Sequence, residues 1–94
     1  MLEGKEKQSV INRLRRIEGQ VKGITKMVEE ERYCIDILNQ TAAVASALKN
    51  LENIVMENHL NTCVAEAMRS NDEQVKREKS AEVMDVISKF RKHG

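Results

Sequence analysis

Apolar residues recur along the first third of the chain at alternating intervals of four and three: Val10, Leu14, Ile17, Val21, Ile24 and Val28. That spacing keeps them on one side of a helix as an a/d seam. It predicts an amphipathic helix from about Glu6 to Glu30. Gly19 and Gly23 lie between seam positions, where they lower helix propensity but permit another backbone to come close. The acidic run Glu29-Glu30-Glu31 marks the helix end and a short turn.

The period resumes after Tyr33. Ile37, Val44, Leu48, Leu51 and Val55 keep a helical spacing, and neither Gly nor Pro interrupts the chain before about Ser70. Ala42, Ala43, Ala45 and Ala47 narrow the middle of this segment, which suits tight helix–helix contact. As one unbroken helix it would exceed ~50 Å in length, too long to be internal to a globule of 94 residues. Its seam must then meet helices of another protomer. Ser70-Asn71-Asp72-Glu73 reads as a loop and N-cap, with acidic groups suited to a helix N-terminus. A final short helix is predicted over about Glu73 to Arg91, with Val83, Ile87 and Phe90 on one face. No repeat, low-complexity stretch or linker divides residues 1–94. The expected fold is a single all-α domain, a long helical hairpin followed by a short third helix.

Composition strengthens the case for assembly. Tyr33 and Phe90 are the only aromatic residues, and 33% of the chain is charged. So small a core usually needs disulfides, metal or oligomerisation. The net charge is +1, but residues 1–28 hold seven Lys/Arg against three Glu, leaving +4 there and −3 in the remainder. Presented several times in an oligomer, such segments can attract a polyanion. A solvated helix face accounts for the same pattern equally well. No apolar stretch follows a basic start as in a signal peptide, and none approaches the ~18 residues that span a membrane. The two cysteines then read as thiols of a cytoplasmic protein.

Cys34, His59 and Cys63 carry the candidate chemistry. His59 and Cys63 are i and i+4 on one helix and share a face. Two thiolates with one imidazole suit Cu(I), whereas tetrahedral zinc would want a fourth ligand. On a continuous helix Cys34 stands roughly 37 Å from His59, far beyond metal–ligand reach. An antiparallel second copy would bring Cys34 of one protomer to His59 and Cys63 of the other, giving two equivalent sites per dimer. Buried cysteines are also ordinary small hydrophobes, and a thiol pair across an interface would serve redox sensing. A helical scaffold with inert cysteines also stays open. His93, beside the terminal Gly94, reads as a frayed end rather than a ligand.

Asn12-Arg13-Leu14-Arg15-Arg16-Ile17-Glu18-Gly19-Gln20-Val21-Lys22-Gly23-Ile24, together with Tyr33-Cys34 and Asn58-His59-Leu60-Asn61-Thr62-Cys63, resembles the copper-sensitive operon repressor (CsoR/RcnR) family. The resemblance spans nearly the whole chain. It implies three-helix protomers, an antiparallel four-helix-bundle dimer and a disc-shaped dimer-of-dimers tetramer without a helix-turn-helix. It also implies a repressor, not an enzyme, that binds double-stranded operator DNA in the apo state and releases it when its inducer binds, derepressing copper-resistance genes. Within this resemblance the set Cys34, His59, Cys63 matches the Cu(I) branch, with one ion per protomer and a copper chaperone as candidate donor. Nickel and cobalt sensors add a ligand near the N-terminus, where this chain has Leu2. Persulfide sensors, which represent the alternative thiol-sensing function, lack the histidine.

The resemblance further assigns Tyr33 and Glu82 as partners behind the ligands, with Glu78 an alternative because the preceding loop differs in length. Arg13 corresponds to a family arginine implicated in DNA binding. Arg15, Arg16 and Lys22 are expected to join it. Lys49 is the weaker candidate, a substitute for a family basic residue that aligns with Asn50.

Overall fold

The first helix forms where the seam predicts it. In the computed structural model, which describes residues 2–93 with side chains through Phe90, α1 runs over Gly4–Glu29. It ends in a Schellman motif: the Arg32 N–H donates to the Met27 carbonyl at 2.9 Å and the Glu31 N–H to the Val28 carbonyl at 3.1 Å. Glu31 occupies the left-handed position of this motif, with φ 55°, which glycine normally takes. A Cβ there is strained, so Glu31→Gly is expected to stabilise the protein by about 0.5–1 kcal/mol. Denaturant unfolding at fixed protein concentration measures it.

Four linking residues later α2 begins, spanning Cys34–His59, with the Tyr33 carbonyl accepting the first helical bonds from Asp36 and Ile37. The helix expected to run to about Ser70 is helical without a gap to Met68, but it is not α-helical throughout. A five-residue π-helical turn over Leu60–Val64 follows α2 directly, and α3 then covers Ala65–Met68. Within this turn the Ala65 N–H reaches back to the Leu60 carbonyl, the i→i+5 pattern of a π-helix. The Thr62 hydroxyl also donates to the Asn58 carbonyl at 2.8 Å. Such back-bonding competes with the regular backbone ladder and bends helices. No Gly or Pro signals the break because the chain never leaves helical conformation.

The predicted cap is present. Asp72 Oδ1 accepts the backbone N–H groups of Gln74 at 2.9 Å and Val75 at 3.4 Å, opening α4 over Glu73–His93. The side chain of His93 lies outside the described residues, so its reading as a frayed end has no structural counterpart.

Contacts divide the chain into two units, residues 2–55 and the segment from Met56 onward. In the first unit the seam of α1 splits by heptad position. Val10 and Ile17 are buried and Ile24 is half-buried, whereas Leu14, Val21 and Val28 remain 40, 47 and 57% exposed. An apolar groove of about 480 Å³ lies in the same unit, lined by Val21, Ile24, Val28, Thr41 and Val44 among others. The space beside Gly19 and Gly23 is open within the chain. Among the described residues no helix is long and apolar enough to cross a membrane.

Candidate metal centre and basic face

The second unit places a polar cluster at the π-helical turn. His59 closes α2, and its Nε2 lies 3.1 Å from Glu82 Oε1 on α4. A carboxylate only accepts, so Nε2 carries the proton and donates. In the neutral ring this leaves the Nδ1 lone pair available. Cys63 sits within the π turn, one turn on from His59, and the Thr62 hydroxyl lies 3.7 Å from its Sγ. Cys34 is the first residue of α2, exposed, and both cysteines are thiols.

Glu82, not Glu78, faces the imidazole. Glu78 instead accepts from Gln74 Nε2 at 3.0 Å along its own helix. Glu82 also takes Lys79 Nζ, at 3.3 Å on Oε2 and 3.5 Å on Oε1. The Lys79 hydrogen bond, and after it the one from His59, hold the Glu82 carboxyl below its usual range. A carboxyl depressed on folding stabilises in full above its unfolded value, and the contribution is lost as pH falls through the lower folded value. Glu82→Gln is therefore expected to destabilise the protein near neutrality. The difference from the unmodified chain should shrink as pH drops below about 4.3, the ordinary glutamate value, in unfolding titrations along the acid limb.

Tyr33 is exposed and lies in the first unit, as does Cys34. Among the described residues no three His, Cys, Asp or Glu side chains gather into a metal-holding group within the chain. Of the predicted set, then, His59, Cys63 and Glu82 share one unit, and Cys34 and Tyr33 belong to the other. Lys79 and Thr62 escaped the sequence reading. The Lys79–Glu82 spacing of three on a helix was a visible signal, whereas nothing in the pattern marked the hydroxyl of Thr62.

On α1, Arg13, Arg15, Arg16 and Lys22 are all exposed. Arg15, Lys22 and Lys26 recur at i, i+7 and i+11, and so line the face opposite the seam. Arg13 flanks the seam, and Arg16 borders the opposite face on the side away from Lys22. Lys26 pairs with Glu30 at 3.8 Å. Lys49 is half-buried and has a partner within the chain.

Comparison with known proteins bears on what this arrangement does. Residues 6–89 match the family model of the metal-sensitive transcriptional repressors. The chain is 49% identical over 88 residues to the copper-sensing transcriptional repressor CsoR of Bacillus subtilis, covering 94% of this chain and 84% of that one. The solved structure of the copper-sensing repressor CsoR with Cu(I) from Geobacillus thermodenitrificans superposes with a TM-score of 0.86 at 44% identity, covering 97% of this chain and 93% of that chain. The nickel-responsive transcriptional regulator InrS superposes with a TM-score of 0.75 at 33% identity, covering 96% of each chain. Since one fold serves copper and nickel responders, the inducer has to be chosen by the ligand residues.

Proposed function

The chain belongs to the metal-sensitive transcriptional repressor family, and we propose that it is a Cu(I)-responsive repressor whose 94 residues act as one sensing and DNA-binding domain. The observation that carries this reading is the His59 ring. Its Nε2 is engaged by Glu82, leaving Nδ1 as the free donor on the same helical stretch that carries Cys63 four residues on. A soft Cys–His–Cys set fits Cu(I), which needs no fourth ligand. The copper-sensing relatives support the same choice.

Cys34 completes the set from a second protomer. The exposed seam residues Leu14, Val21 and Val28 support an assembled state, because solvated apolar rows of this kind are what helix bundles cover. The assembly proposed is the antiparallel dimer and its dimer-of-dimers tetramer, cytoplasmic, with one ion per protomer. A copper chaperone is the candidate donor. Tyr33 is assigned to the same site from the partner protomer.

Bound Cu(I) supplies a soft cation that holds thiolates and a neutral imidazole. The coupling is the work of the chain. His59, fixed through Nδ1, keeps its Nε2–H on Glu82 and thereby ties α4 to the end of α2. That restraint favours an assembly whose α1 faces no longer match DNA. By linkage, the free repressor must hold Cu(I) more tightly than the operator-bound one does. Arg13, Arg15, Arg16 and Lys22 meet phosphates, with Lys49 a lesser contributor. With no aromatic interleaving, phosphate and shape readout dominate.

The test is operator binding by the apo repressor, repeated with Cu(I), Ni(II) and Zn(II). Release by Cu(I) at stoichiometric loading, and not by the other two, supports the proposal. Release by a persulfide or oxidant with no response to Cu(I) would replace it with thiol sensing.

A further inference from the structure

Lys79 stands apart from the other paired lysines. Its side chain is 26% exposed, less than those of Lys76, Lys89 and Lys26. Its ammonium lies against both oxygens of Glu82, at 3.3 and 3.5 Å. The carboxylate it grips reaches outside α4 to His59, 23 positions away in sequence. Lys76, by comparison, meets Glu73 within the first turn of α4, and Lys89 meets Asp85 one turn away. Those two pairs are ordinary solvated contacts between neighbours on a helix.

Glu82 itself is about half-exposed. Three rotatable bonds let such a carboxylate swing into water, where it would accept nothing from His59. An ammonium holding Oε2 and sharing Oε1 removes that freedom and keeps Oε1 turned toward the ring. We propose that Lys79 is a positioning residue, which fixes the Glu82 carboxylate so that the His59 Nε2–H has an acceptor and α4 responds to the state of the ring. This rests on the Cu(I)-responsive reading only for its regulatory consequence, since the Lys79–Glu82–His59 chain exists within one protomer.

The test uses the full chain with Lys79→Met and Lys79→Arg. Nitrogen NMR of the His59 ring in the metal-free protein reports which ring nitrogen carries the proton. Lys79→Met should shift the tautomer balance away from Nε2–H. It should weaken the effect of Cu(I) on operator affinity about threefold, the scale of one partly exposed ion pair, with apo operator affinity unchanged. Lys79→Arg should retain both properties, since a guanidinium spans two carboxylate oxygens. Unchanged ring signals and unchanged coupling in Lys79→Met would overturn the proposal. So would lost helix content or apo DNA affinity with the ring signals intact, which would mark a merely structural role. If the unmodified protein ignores Cu(I), the Cu(I) reading fails while the ring-nitrogen measurement still decides the role of Lys79.

Discussion

Cys34→Ala is expected to lower Cu(I) affinity by more than 100-fold and to leave apo operator binding intact. Loss of a group that merely orients a metal ligand costs about 10–100-fold in affinity, and loss of a ligating thiolate should exceed that. Cys34 opens α2 and is exposed, so its removal leaves no cavity and the fold should survive. Cys63→Ala should behave alike at the metal. Mixing the two variants is the sharper experiment. In a mixed dimer, the Cys34→Ala protomer still offers His59 and Cys63, and the Cys63→Ala protomer still offers Cys34. One intact site per mixed dimer should therefore return, whereas each variant alone has none. A competition titration with a strong Cu(I) chelator on the co-refolded mixture measures the recovery. If mixing restores nothing, the two-protomer site is wrong.

Replacing Arg13, Arg15 and Arg16 together with alanine should cost operator affinity about 100-fold or more at physiological salt and make the salt dependence shallower. Each phosphate contact releases about one counterion, so three lost contacts per protomer lower the slope by roughly 0.9 per contact. All three side chains are exposed on α1, and the seam that holds the helix is untouched. Cu(I) binding should persist. Fluorescence anisotropy across a salt series separates this outcome from unfolding. Unaltered affinity and slope would move the DNA surface off α1. Lys49→Ala, at a half-buried position with its own partner, should change the slope less.

How the site became legible differs from residue to residue. His59 and Cys63 were visible as a spacing, because a helix repeats every 3.6 residues and two donors four apart must share a face. Glu82 was not visible that way. It lies 23 positions from His59, and only the return of α4 after the Asp72 cap brings the two together. Resemblance offered Glu82 and Glu78 as alternatives. Geometry separates them, since Glu78 bonds Gln74 and Glu82 bonds His59. Lys79 follows from Glu82 in turn, one helical turn before it.

Cys34, His59 and Cys63 remain the centre of the protein, and the pattern alone determined a good deal about them. Helical periodicity and the absence of Pro dictated an all-α chain, because those are local properties of each turn. The same periodicity said that one continuous helix could not close the three ligands. Only the structure decided that α2 stops at His59 and passes into a π turn that holds Cys63, since no Gly or Pro marks the change from one helical ladder to the other. Only tertiary structure, too, decided which carboxylate faces the imidazole, because contacts between distant segments leave no period in a sequence.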